Sequence, residues 1–168
     1  MRARVQDLMT PRPKTCRASE FLTRAAQIMW EHDVGCVPVV DDQARLVGMI
    51  TDRDLCMAAY TQGRRLNDIL VMSVMAKVPI SVRPDDEIAV AEERMRTNRV
   101  RRLPVVDVDG QVVGLIAMND LIREARPEAE SKGVDEGSVL DALREIGRPR
   151  TISALVARAS VPREMARA

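Results

Sequence analysis

The chain is nearly without aromatic side chains: it has one Trp, one Tyr and one Phe in 168 residues. Binding nucleic acid by stacking bases on aromatic platforms is therefore all but excluded. A core has to come from Val, Leu, Ile, Ala and ten Met, within a hydrophobic content of 46% that is ample for one domain or two small ones sharing a core. An excess of one charge is missing too. With 26 basic against 25 acidic residues the net charge is +1, which argues against a protein held to nucleic acid or a membrane by its overall field, so any anion site must be local. The single histidine, His32, lies beside Trp30 and Glu31 with no second His or Cys at ligand spacing, which speaks against a metal centre. Cys16, Cys36 and Cys56 are odd in number and form no C-x-x-C, so neither a disulfide framework nor a zinc ribbon is indicated; they read as reduced, small core residues. No run approaches eighteen apolar residues and MRARVQDLMTPRP has no apolar leader segment, so the expected location is the cytoplasm, with no membrane partner. No nucleophile–base pairing is visible, and an enzyme is not expected.

What is present is a repeat. Sliding the chain against itself by 66 positions aligns Val5 to Leu55 with Val71 to Leu121 without a gap, giving 16 identities in 51 pairs, all in one register. Met9 matches Met75, Met29 matches Met95, and Pro38-Val39-Val40-Asp41 matches Pro104-Val105-Val106-Asp107. VGMITDRDL (Val47 to Leu55) returns as VGLIAMNDL (Val113 to Leu121), with Ala117 where the first copy has Thr51.

Each copy carries the same order of signals. A short extended piece (Thr15 and Cys16, or Ile80 to Val82) precedes a helix whose apolar residues recur at three- and four-residue spacing: Leu22, Ala25, Ala26, Ile28 and Met29, then Ile88, Ala91 and Met95. CVPVVD and RLPVVD are short β-rich runs, followed by the turns DDQAR and DVDGQ and by LVGMIT and VVGLIA, so each pair reads as a hairpin. A second helix follows from Asp52 to about Ala59 and from Met118 to about Ala125. The expected fold class is α+β, two tandem β-α-β-β-α motifs (residues 1–60 and 61–125) packed through their sheets with pseudo-twofold symmetry, because about fifty residues alone bury too little surface. Met29, Met49, Met57, Met72, Met75, Met95 and Met118 mostly fall on core-facing positions.

Thr51-Asp52-Arg53-Asp54 sits where a strand ends and a helix begins. Free backbone N–H groups and the positive helix end there suit an anion, with phosphate the obvious guest. An Asp at that point can accept from both hydroxyls of a ribose, which points to Asp54, with Thr51 donating to ribose or phosphate and Arg53 adding charge or facing solvent. The same residues also spell a helix cap with an acidic residue three positions on, which needs no ligand and is worth about 1 kcal/mol. In copy two Asp120 keeps the carboxylate while the hydroxyl is gone, so two sites would be unequal.

These residues resemble the CBS domain family in its tandem form, the Bateman module. The resemblance rests on DLMT, VPVVDD...LVGMITDRDL and RRLPVVDVDGQVVGLIAMNDL, and covers Val5 to about Glu124. It implies a cleft between the motifs that binds an adenosine-containing ligand, AMP, ADP or ATP and in some members S-adenosylmethionine or NAD, as a regulatory ligand and not a catalytic cofactor. In one member a basic pair just before the corresponding strand contacts ligand phosphates, which assigns that role to Arg101 and Arg102; a solvated patch with Arg99 is the competing account. The matched positions in copy one, Gly35 and Cys36, leave the cleft basic on one side only. Lys14 and Ile80 resemble family positions flanking the adenine. The resemblance further implies a homodimer formed through exposed helices, around Ala25 to Met29 and Ala91 to Met95, and an effector protein that listens to occupancy. The alternative is a ligand-free dimerisation scaffold.

Beyond Glu124 the resemblance stops. Residues 126–137 (RPEAESKGVDEG) read as a linker. Residues 138–168 read as a helical extension: a helix from Ser138, its cap, to Ile146, with Val139, Leu140, Leu143 and Ile146 as an apolar stripe, and then a basic tail that is partly disordered or docks to a partner.

Overall fold

The hairpins form where β-branched runs flank a turn with its own chemistry. In a computed structural model that describes residues 3–77, 79–127 and 133–148, β3 (Cys36–Val40) pairs antiparallel with β4 (Leu46–Thr51), and β6 (Arg102–Val106) with β7 (Val112–Ala117). The registers match, Val39 facing Gly48 and Val105 facing Gly114. The repeated aspartates close the turns as Asx side chains do. Asp41 Oδ1 accepts from the backbone N–H of Gln43 and Arg45, both at 2.9 Å, and Asp107 Oδ1 from those of Asp109 at 3.0 Å and Gln111 at 2.8 Å.

Helices α2 (Leu22–Glu31) and α4 (Ile88–Asn98) precede the hairpins, and α3 (Asp52–Gln62) and α5 (Met118–Glu124) follow them. The apolar stripes face the sheets: Leu22, Ala25, Ile28 and Met29 are buried on α2, and Ile88, Ala91 and Met95 on α4. The side chains expected to form a pairing surface between subunits, Ala25 to Met29 and Ala91 to Met95, are thus largely used inside the chain, because each stripe is about one face wide and the sheet takes it. Met57 and Met72 are exposed, unlike the other methionines of that series.

The two copies trade their first segments. Chain preceding each motif runs across to the other motif's sheet: β1 (Thr10–Pro11), which follows α1 (Val5–Leu8), pairs antiparallel with β7, and β5 (Ala76–Lys77) pairs the same way with β4. Val5 is buried in the core of copy two and Val71 in that of copy one. The crossing explains two repeated identities. Met75 lies over Gly48, where a Cβ would stand 2.5 Å from its Sδ, and Met9 lies over Gly114 in the same way. The result is a four-stranded sheet, β2-β3-β4-β5, with β2 (Cys16–Arg17) parallel to β3, and a three-stranded sheet, β1-β7-β6, which Val82 extends as a parallel partner of Val105. Arg45 bridges Gln111, its own counterpart in the repeat, and Leu46 N donates to Gly110 O at 3.0 Å, which puts the pseudo-twofold axis at the turn tips.

The C-terminal stripe docks on copy two. Helix α6 (Glu136–Ile146) lies against α4 and α5, with Val139 and Ala142 buried in that core and Leu143 and Ile146 packed on its edge, while Leu140 stays 47% exposed. Its cap lies three residues earlier than the sequence indicates, at Asp135 and not Ser138: the Asp135 side chain accepts from Ser138 N at 2.9 Å, and the Ser138 hydroxyl has acceptors in Glu92 at 3.1 Å and the Asp135 carbonyl at 3.0 Å. The expected linker is tied at both described ends, Arg126 bridging Asp135 with Val134 buried between them. Residues 128–132 and the tail from 149 lie outside the described residues.

Candidate functional site

Thr51 ends β4 with extended backbone and is the N-cap of α3. Its Oγ1 donates to Asp54 Oδ2 at 2.7 Å, its N–H donates to the same oxygen at 2.9 Å, and Asp54 N donates back to Thr51 Oγ1 at 3.3 Å. The cap expected from the local pattern is therefore fully formed. Asp54 is half-buried, and its Oδ1 takes no bond from the described residues, so one carboxylate oxygen is available to a hydroxyl.

The anion cradle read from the sequence is not open. The first three N–H groups of α3 all have partners within the chain: Asp52 N donates to Gly35 O at 3.3 Å, Arg53 N to Asp52 Oδ1 at 2.7 Å, and Asp54 N to Thr51 Oγ1. The cause lies in the residues themselves, since both Asp52 and Thr51 carry an acceptor that folds back onto the helix start. A phosphate there would have to displace a carboxylate.

Copy two solves the same problem differently. Ala117 offers no hydroxyl; its N–H donates to Asp120 Oδ2 at 2.8 Å, and Asp120 Oδ1 accepts from the Arg123 guanidinium one helical turn on. Asp120 is buried, at 8% exposure, under a side chain that is itself largely exposed. Arg123 was not among the residues singled out from sequence, although the i,i+3 spacing on a helix was there to read. Position 118, matched to Asp52, is a buried Met.

The motifs meet at the starts of β3 and β6. A Cβ built on Gly35 would lie 3.2 Å from Asp52 Oδ2 and 3.7 Å from Arg102 Nη2, so an arginine of copy two reaches over the strand start of copy one. Cys36 is buried beside them. Burial raises its thiol pKa, Arg102 opposes the rise and Asp52 adds to it. Nothing in the sequence marks Asp52 beyond its place in the Thr51–Asp54 turn. Arg101 and Arg53 are exposed, and among the described residues no hydrogen bond or ion pair joins their side chains to the other candidates; Arg101 O accepts from Met118 N at 2.8 Å, the counterpart of the Gly35–Asp52 bond. Lys14 is exposed, and Ile80 is half-buried against the core of copy two. Arg99 does not join a basic patch with Arg101 and Arg102: its guanidinium binds Glu145 of α6 at 2.7 Å.

A separate depression of about 260 Å³ lies at the far end of β2 and β3, lined among others by Arg17, Glu20, Arg24 and Asp42. Of the candidate residues only Lys14 adjoins it in the chain, next to Thr15 of its lining, and its charged lining suits an adenine poorly. Among the described residues no group of three or more His, Cys, Asp or Glu could hold a metal ion, and no helix is long and apolar enough to cross a membrane.

Comparison with known proteins gives the same duplicated frame. The CBS domain family matches twice, at residues 5–60 and 71–126. The CBS domain-containing protein YhcV of Bacillus subtilis is 37% identical over 117 residues, covering 70% of this chain and 81% of that protein. Among solved structures, the CBS domain pair of protein MJ0100 in complex with 5′-methylthioadenosine and S-adenosyl-L-methionine superposes with a TM-score of 0.67 at 25% identity, over 73% of this chain and 95% of that one. CBSX2 in complex with AMP superposes with a TM-score of 0.62 at 30% identity, over 71% and 93%.

Proposed function

This chain belongs to the CBS domain family, and on that premise we propose that it is a regulatory sensor: it binds an adenosine-containing ligand in the cleft between its two motifs and signals occupancy to a partner, without turning the ligand over. Two superposable CBS pairs were solved with S-adenosyl-L-methionine, 5′-methylthioadenosine or AMP, which supports the ligand class. The observation that carries the reading is the meeting of Arg102 from copy two with Gly35 and the Thr51–Asp54 turn from copy one. A ligand held there touches both halves, so its binding energy depends on their relative placement. Asp54 takes the ribose through its available oxygen. Arg101, Lys14, Ile80, Arg53 and the Gly35–Cys36 strand start are the remaining walls.

The test is a thermal-shift screen with AMP, ADP, ATP, NAD and S-adenosylmethionine, followed by calorimetry. A ligand at a hundred times its dissociation constant stabilises the fold by about 2.7 kcal/mol. Asp54→Ala is expected to abolish most binding. Asp120→Ala is expected to leave most of it, because that carboxylate is committed to Ala117 N and Arg123 and lacks the threonine; a hydrogen bond to a charged group is worth about 1.5–3 kcal/mol. The reverse order would refute the assignment of the dominant site. One observation favours the scaffold instead: both carboxylates already accept hydrogen bonds from within the chain. No shift with any ligand would decide for it.

A further inference from the structure

The groove of motif one carries a charge that motif two lacks. Asp52 and Arg102 both border the spot left open by Gly35, yet the two do not close into an ion pair among the described residues. Their fields meet at Cys36 with opposite sign. The N–H groups that would greet a phosphate at the start of α3 are occupied, one of them by Asp52 itself. The corresponding residue of motif two, Met118, is buried and uncharged.

We propose that Asp52 selects the 5′ substituent of the ligand at motif one, admitting an adenosine whose 5′ group is uncharged, cationic or zwitterionic and rejecting a 5′-polyphosphate. This rests on the adenosine reading above. At the Gly35 spot the charges of Arg102 and Asp52 offset one another. A triphosphate would bring several negative charges against a carboxylate with no backbone donor to compensate, whereas a thioether brings none and an α-amino acid tail can pair its carboxylate with Arg102 and its ammonium with Asp52.

The experiment is calorimetric titration of the full chain with 5′-methylthioadenosine and with ATP in magnesium-free buffer, for the wild type, Asp52→Asn and Asp52→Ser. Both variants keep an oxygen for Arg53 N, and circular dichroism checks the fold. The wild type is expected to prefer 5′-methylthioadenosine. Removing the charge is expected to tighten ATP by roughly tenfold, the effect of one nearby charge on a polyanion, and to leave 5′-methylthioadenosine within about twofold. An unchanged ratio of the two affinities in both variants overturns the selectivity while leaving the adenosine site standing. Failure of every protein to bind either ligand overturns both.

Discussion

At the scale of the residue, the repeat lets one copy serve as a control for the other. Gly110 closes its turn at φ 80°, and the matched Ala44 does so at φ 61°, where a Cβ crowds the carbonyl. Ala44→Gly is expected to stabilise the protein by roughly 0.5–1 kcal/mol, the relief of the left-handed strain less the added freedom of the unfolded chain. Urea denaturation measures it, and a lower midpoint would show that the turn does not hold Ala44 in that region. The same comparison explains the missing threonine. Thr51 holds Asp54 by its hydroxyl, and where Ala117 cannot, Arg123 takes over on the other oxygen. Each helix start has its carboxylate fixed, but only the first leaves an oxygen unengaged.

At the scale of the element, α6 is held by an apolar stripe and by two polar contacts of opposite character. Glu145 accepts from Arg99 across the helix pair, and that bond first of all, against some loss of water, keeps its carboxyl below the ordinary range. Glu92 is buried beneath Ser138. Burial raises its pKa, the Ser138 hydrogen bond and Arg96 work against this, and Asp135 and Glu93 add to it. A carboxyl raised on folding contributes stability below its unfolded value, and this is lost as pH rises through the raised one. The Glu145 contribution runs the other way and is lost only as pH falls through its depressed value. Of these two carboxyls, only Glu92 contributes a slope above the ordinary carboxylate range. Glu92→Gln keeps the bond to Ser138 without the charge, and it is expected to raise the melting temperature at about pH 7 and to leave it unchanged near about pH 4. An equal effect at both pH values would mean that the side chain acts through packing alone.

At the scale of the whole molecule, the two motifs expose unequal outer faces. Helix α6 covers α4 and α5, whereas among the described residues no corresponding helix covers α2 and α3; Trp30 on α2 and Tyr60 on α3, the chain's single Trp and Tyr, are 89% and 83% exposed. A second α6 would fit poorly there, since the positions that receive Ser138 and Glu145 in copy two, Glu92 and Arg99, are Ala26 and Asp33 in copy one. Aromatic residues set in an apolar surface are typical of subunit interfaces. The homodimer implied by the family resemblance is thus expected to form through copy one alone. Sedimentation should give a dimer that survives removal of Gly147 to Ala168 and becomes a folded monomer with Trp30→Asp, and Trp30 emission should shift to the blue as the dimer assembles. A monomeric wild type at micromolar concentration would rule this out. The ligand-free scaffold makes the same forecast, so the result bears on architecture.

What is local or periodic was legible in the chain: the 66-residue repeat and its register, the hairpins, the helix stripes, and the cap that joins Thr51 to Asp54. Each depends on residues within a few positions of one another, or on a pattern that recurs, so propensity and spacing suffice. Tertiary structure alone decided the exchange of β1 and β5, which no spacing encodes because each strand is two residues long and its partner lies in the other copy. It also decided that α6 lies on copy two, that Arg99 turns to Glu145, and that Arg102 stands with Asp52 at Gly35. Those contacts join residues far apart in the chain, and their geometry follows from how two sheets and their helices pack around a shared axis. Whether an aspartate faces water, a helix N–H or an arginine from the other motif is settled only there, and with it the charge that a ligand meets.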